Sequence, residues 1–219
     1  MKSVLLTRSE SANNSFKQAL ADYNYEFLDC SLIDYQLQPI DFSILEDYKD
    51  VIITSNFAAN NLPQAPSDVM YAWVVGAKSA RILESKGYKI RFCAPDAITL
   101  KQQIPAEIYE NTIYLSSNHI TVNMPLHITR QIFYNVSYLE SLSKEQILRY
   151  KKGVDYILLY SENCAKTLMK LILENDLLNY LENTTIIAIS SKIEMVVKSH
   201  FRNRVVCSGD DLILKYLKK

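Results

Sequence analysis

The residues that could do chemistry in this chain sit in short polar stretches just after apolar runs. They are Thr7-Arg8-Ser9, Thr54-Ser55-Asn56, Gly76-Ala77-Lys78-Ser79, Ser116-Ser117-Asn118, Ser161-Glu162-Asn163, Ser190-Ser191-Lys192 and Ser208-Gly209-Asp210. Nearly all are small hydroxyl or amide residues that lead into a helical pattern. A helix amino end offers unpaired N–H groups and a partial positive charge, so several of them together suit a ligand with many carboxylates or phosphates. Arg8, Lys78 and Lys192 add full positive charges at three of the stretches. Singly, Ser, Thr, Asn and Asp are ordinary helix caps. The case for binding rests on their number and on their repetition.

Other chemistries find little support. There is no G-x-G-x-x-G, no P-loop and no G-x-S-x-G elbow. His119, His127 and His200 have no metal-ligand spacing to one another or to the cysteines. The acidic residues form no pair that could be assigned as acid and base. Basic and acidic residues balance at 24 each, which argues against a nucleic-acid binder driven by bulk charge. No apolar run approaches the roughly 18 residues of a membrane span, and Val4 to Leu6 is too short for a secretion signal. Cys30, Cys93, Cys164 and Cys207 are far apart and are read as reduced core residues of a cytosolic protein.

The elements that must position these stretches come from a repeat. Ala72 to Leu100 reads as a buried strand, a turn at Gly76, a helix, a turn at Gly87, a strand and a capped helix. It lies without a gap over Ile186 to Leu214, an offset of 190 − 76 = 114 residues, with Lys78 on Lys192, Cys93 on Cys207 and Asp96 on Asp210. Ile113 to Leu115 lies over Val4 to Leu6, and Tyr156 to Tyr160 over Asp50 to Thr54. Further strands are expected at Ser3 to Thr7 and Tyr25 to Ile33, with extended chain at Gln36 to Phe42 and Phe133 to Leu139. Helices are expected from Ser9 to about Asn24, at Ala58 to Leu62, at Leu126 to Ile132 and at Cys164 to Leu173. Strands alternating with helices argue for parallel, doubly wound sheets. In such sheets ligands bind beyond the carboxyl ends of the strands, where the polar stretches fall. The repeat makes the chain two halves, about 1 to 110 and 111 to 219, and up to this point two sequential domains are allowed.

The chain also resembles a known family, uroporphyrinogen-III synthase. The resemblance is carried by VLLTR at the start, VIITSNFA (Val51 to Ala58), WVVGAKSARILESKGYKI (Trp73 to Ile90), VSYL around Tyr138, ILLYSENCAK (Ile157 to Lys166) and IIAISSKIEMVV (Ile186 to Val197). It implies two flavodoxin-like α/β domains joined by a two-stranded linker with a cleft between them, residues 1–34 plus 137–219 forming one and 35–136 the other. It implies closure of hydroxymethylbilane, a linear tetrapyrrole with eight carboxylates, into uroporphyrinogen III, with loss of water and inversion of the last ring. No metal or cofactor is implied, nor any nucleic acid or membrane. A cytoplasmic monomer is expected, with a possible transient contact to hydroxymethylbilane synthase.

By the resemblance Tyr138 is the proton donor for the departing hydroxyl, where composition alone would make it one strand tyrosine among 15. Ser55, Ser79 and Ser161 match cleft hydroxyls. With Arg8, Thr54, Asn56, Gly76, Lys78, Ser117, Ser190 and Ser191 they form the expected substrate-binding set. Ser190 and Ser117 stand where the family has glycine, Ile193 where a hydroxyl is frequent, and Phe201 at the counterpart of Gly87. The second copy is therefore expected to bind differently. A two-lobed α/β protein that binds a polyanion without catalysis, or an inactive homologue, are the alternatives.

Overall fold

In the computed structural model, which describes residues 1–67 and 69–218, the apolar runs become strands. In chain order the elements are β1 (Lys2–Leu6), α1 (Glu10–Gln18), β2 (Tyr25–Asp29), β3 (Ile33–Leu37), β4 (Asp50–Ile53), α2 (Asn56–Asn61), β5 (Tyr71–Val75), α3 (Ala77–Ser85), β6 (Lys89–Ala94) and α4 (Ala97–Gln103). They continue with β7 (Thr112–Ser117), β8 (Thr129–Tyr138), α5 (Lys144–Lys151), β9 (Tyr156–Leu159), α6 (Glu162–Glu174), β10 (Thr185–Ala188), α7 (Ser191–Val197), β11 (Asn203–Val206) and α8 (Asp210–Leu217).

The chain divides into unit 1, Met1–Asp34 with Ser137–Lys219, and unit 2, Tyr35–Val136. One sheet has the order β11-β10-β9-β1-β2 and the other β3-β8-β7-β4-β5-β6. Within them β1 runs parallel to β2 and β9, β10 to β9 and β11, β4 to β5 and β7, and β5 to β6. The repeat is visible in these orders. β9, β10 and β11 hold the places in one sheet that β4, β5 and β6 hold in the other, and β1 matches β7.

Burial follows from the strand period of two. In unit 1, Leu5, Ile157, Leu159, Ile186 and Ala188 pack with Leu168, Ile172 and Val197. Val4, Leu6, Leu158 and Ile187 face the other way, onto Phe16, Leu20, Ile213 and Leu217. In unit 2, Ile52, Trp73 and Tyr114 pack with Leu100 and Ile104. Strands covered on both faces need near-continuous apolar sequence, and β4 is buried along its whole length.

Several expectations are corrected. Leu126 to Ile132 is not a helix. Leu126 is 99% exposed in a turn, and β8 begins at Thr129, held in register by β7. Tyr25 to Ile33 is two strands, because Cys30 and Leu32 leave the β2 line and hydrogen-bond back to Leu6 and Thr7. The first helix stops at Gln18 rather than near Asn24. Helix α5 was absent from the expectation, although Ser143 and Gln146 close a capping box at its start. Cys93 is exposed on β6, the outer strand of its sheet, while Cys30, Cys164 and Cys207 are buried. Asp96 caps α4 by accepting from the Thr99 N–H, but its counterpart Asp210 does not cap; Gly209 takes the cap position of α8.

Burial holds several acids in their neutral form. It raises the phenols of Tyr88, Tyr114, Tyr150 and Tyr160 above their ordinary value near 10.0, and the thiols of Cys30 and Cys164 above theirs near 9.0. The unfolded chain releases these protons first, so it binds fewer of them as pH rises through this range. Stability is then fully present below about pH 9 and falls above it, steepening beyond about pH 10. Lys86, lowered by burial, acts in the opposite direction but is a single group. The urea midpoint at pH 11 should therefore lie well below that at pH 8. Equal midpoints would contradict the burial of these side chains.

Candidate functional site

The carboxyl edge of the unit 2 sheet carries the expected residues in the order Ser117, Thr54 to Asn56, then Gly76 to Ser79, because β7, β4 and β5 are adjacent. Ser55 caps α2, accepting from the N–H groups of Phe57 at 3.1 Å and Ala58 at 3.4 Å. The Thr54 and Tyr114 hydroxyls share a hydrogen bond of 3.0 Å. Ser79 is buried and donates to the side-chain oxygen of Asn56 at 2.7 Å, which ties the start of α3 to the start of α2. Gly76 turns the chain between β5 and α3 with φ of 85°, and no atom lies within 4 Å of where a Cβ would stand. Lys78 is exposed. Ser117 is buried and donates to the His119 carbonyl, and its own carbonyl accepts from Arg130 at 2.8 Å.

Unit 1 repeats the arrangement with different side chains. Arg8 follows β1, Ser161 follows β9, and Ser190 and Ser191 follow β10, all on neighbouring strands. Ser161 caps the 13-residue helix α6, accepting from the Cys164 N–H at 3.1 Å. Tyr138, the last residue of β8, reaches the same helix start. The Asn163 amide donates to its hydroxyl at 2.9 Å. Ser190 occupies the place of Gly76 with an ordinary extended φ of −155°, so the second copy makes its turn without glycine and without strain. Its side chain makes no capping bond, and Ser191 and Lys192 are exposed. Arg8 pairs through Nη1 with Asp210 at 3.1 Å, and its guanidinium lies 3.8 Å from the Tyr160 ring centre.

At the start of α6 the Tyr138 hydroxyl accepts from the Asn163 amide. Glu162 on the same turn is held below the usual carboxylate range by Lys166 first and then by Lys192 of α7. It is therefore ionised at neutral pH and is no proton source.

A cavity of 440 Å³ lies at the opposite edge of the unit 1 sheet, among Ser3, Glu26, Arg149 and Asp155. These four side chains are paired among themselves. Asp155 accepts from the Ser3 N–H at 2.7 Å and the Ser3 hydroxyl at 2.9 Å, and Arg149 pairs with Glu26. None of the expected site residues lines this cavity; they lie at the carboxyl edges of the two sheets.

Asn163 is named by sequence only as part of the stretch Ser161-Glu162-Asn163, with no partner assigned, and Tyr160 and Asn13 are not singled out as site residues. Tyr160 and Asn13 gave no signal, since their roles depend on contacts with Arg8.

Compared with known proteins, the chain is 36% identical to the uncharacterized protein RP474 of Rickettsia prowazekii (strain Madrid E), over 95% of this chain and 94% of that one. No family model matches it. Among solved structures it has the fold of a mutant uroporphyrinogen III synthase of the extremely thermophilic bacterium Thermus thermophilus, with a TM-score of 0.63 at 11% identity over 100% of this chain and 98% of that one. The uroporphyrinogen-III synthetase of Helicobacter pylori 26695 gives 0.60 at 14% identity, over 100% and 99%. Identities this low show a shared two-domain α/β fold.

Proposed function

We propose, from the premise that this chain belongs to the same family as the Rickettsia prowazekii protein RP474 and has the fold of the uroporphyrinogen III synthases, that it closes hydroxymethylbilane to uroporphyrinogen III. The observation that carries the reading is that the fold likeness runs through both units and covers 100% of the chain. Tyr138 at the start of α6 adds a chemical group in a useful place.

In this reading Tyr138 gives its proton to the terminal hydroxyl, the carbon–oxygen bond breaks and water leaves. The cation that remains is attacked by the far pyrrole through a spiro intermediate, and the ring that closes releases one proton, which balances the one supplied. Ser55, Ser161, Ser190, Ser191 and the N–H groups around them serve the substrate's carboxylates, with Thr54, Asn56, Gly76, Ser79 and Ser117 shaping the edge and Lys78 adding charge. The reading carries with it a cytoplasmic monomer.

The energetic demand is small. Uncatalysed closure gives the uninverted isomer, and favouring the inverted route a hundredfold takes about 2.7 kcal/mol of transition-state difference. Orientation and a few hydrogen bonds can supply that.

The test is direct. Hydroxymethylbilane is generated in situ, given to the purified chain, and the products are oxidised and separated by isomer. Type III product in excess is expected. Type I alone, from a folded sample, would overturn the proposal and leave a binding protein or an inactive homologue.

A further inference from the structure

The sheet of unit 1 ends on one side at β2, which pairs with β1 and with no other described strand. The Cys30 N–H bonds to the Leu6 carbonyl, so alternation along the strand turns the main-chain groups of Glu26 and Leu28 toward β1 as well. Those of Tyr25, Phe27 and Asp29 turn outward. The Tyr25 N–H is taken by the Tyr23 carbonyl at 2.8 Å. The N–H groups of Phe27 and Asp29 are left along an open edge, and such an edge is a template for another strand. A groove of about 720 Å³ lies against it, between Phe27, Leu28 and Asp29 of β2 and Glu145, Leu148 and Lys152 of α5. Leu148 is 63% exposed there.

The charges along the groove match a second copy of themselves. Glu145, Leu148 and Lys152 share one face of α5, with an acid at its start, an apolar residue in the middle and a base at its end. Glu145 and Lys152 are exposed, and among the described residues no ion pair involves either. A two-fold axis through the sheet at Phe27 sets two β2 strands antiparallel, with the two α5 helices antiparallel on one face of the joined sheet. Glu145 of each copy then faces Lys152 of the other, and Leu148 faces Leu148. Between the strands the Phe27 N–H meets the Phe27 carbonyl, and the Asp29 N–H meets the Tyr25 carbonyl, each twice by symmetry. This register puts Glu26 opposite Leu28 and Asp29 opposite Tyr25, so no acid faces an acid. Both acids are already paired within their own copy, Glu26 with Arg149 and Asp29 with Lys17. The outer strand β6 of the other sheet offers no such match, because Lys89 and Arg91 guard its edge.

We propose that β2 and α5 form a docking surface for a second copy of this chain, the two joined as a two-fold dimer with one sheet continuous across the axis. One strand pair and one helix face make a small interface, of the weak and reversible class. The chain is then single at the dilution of an enzyme assay, as the family reading has it, and pairs when concentrated. The pairing uses none of the residues assigned to the proposed reaction and stands or falls apart from it.

The experiment follows the mass of the full chain by sedimentation equilibrium over a series up to about 1 mM, where a Kd of about 100 µM leaves most copies paired. A rise from one copy to two is expected. Hydrogen exchange at the two ends of the series reads the edge itself. The Phe27 and Asp29 amides should be slowed at high concentration alone, while the Leu28 amide, turned toward β1, is slow at both. Glu145→Lys and Lys152→Glu should each weaken pairing about tenfold, because two exposed attractions per dimer become repulsions. Glu145→Lys combined with Lys152→Glu should restore it, a rescue that loss of structure would not give. A chain that stays single up to about 1 mM overturns the proposal. Association that leaves the Phe27 and Asp29 amides fast also overturns it, since the contact then lies on another face. So does a double variant that pairs as weakly as the single ones.

Discussion

Tyr138→Phe is expected to slow formation of the inverted isomer by about a hundredfold, the lower end of what a positioned general acid contributes. The substitution removes one hydroxyl at the end of β8 and leaves the ring. The bond it deletes, from Asn163, is exposed, so the thermal midpoint should stay close to that of the parent. Initial rates of type III product with excess substrate, beside a melting curve, decide the point. A variant as fast as the parent would remove Tyr138 from the reaction while leaving the fold-based reading in place. A variant that melts far below the parent would show the phenol to be structural.

The largest effect on stability is expected at Asp50, far from the candidate residues. This carboxylate is 1% exposed at the start of β4. It accepts from the Trp73 indole N–H at 2.9 Å and from Arg91 Nε at 2.7 Å, and Arg91 in turn lies 3.7 Å from the Tyr71 ring centre. One side chain therefore ties together three adjacent strands, β4, β5 and β6. Asp50→Ala strands a buried indole N–H and unpairs a partly buried guanidinium, for a loss of about 3 kcal/mol. Arg91 keeps some access to water, which holds the cost at the low end of the range for buried pairs. Asp50→Asn keeps an acceptor for the indole and should lose about half as much. Trp73 is the only tryptophan in the sequence, so its fluorescence in urea reports unit 2 alone. A midpoint unchanged in Asp50→Ala would show that the pair does not hold the sheet.

Much of the α/β fold was legible because buried parallel strands write themselves as short apolar runs. Val51 to Ile53, Ile157 to Leu159 and the two glycines of Ala72 to Leu100 are such cases, and each sits where periodicity put it. What failed had competing local signals. Leu126 to Ile132 has helical spacing, but pairing with β7 decides its conformation, and strand propensity is largely a matter of such neighbours. Helix α5 is mostly polar and carries a weak apolar signal, although Ser143 and Gln146 of its capping box stand at the right spacing. At the candidate site the capping serines were legible from type and position alone. Their partners were not. Asn163 meets Tyr138 across 25 positions and Arg8 meets Asp210 across 202, distances at which a linear sequence offers no spacing rule.

Unit 1 takes its first two strands from the beginning of the chain and its last three from the end, with all of unit 2 encoded in between. During synthesis on the ribosome, β1 and β2 emerge more than a hundred residues before β9, the strand that must sit against β1. Unit 2 can meanwhile close on itself, since its strands lie in one continuous stretch. Unit 2 can therefore fold before unit 1 is complete, while β1 waits for the strand that pairs with its free edge. The sheet of unit 1 therefore cannot be complete until β9 to β11 have been made.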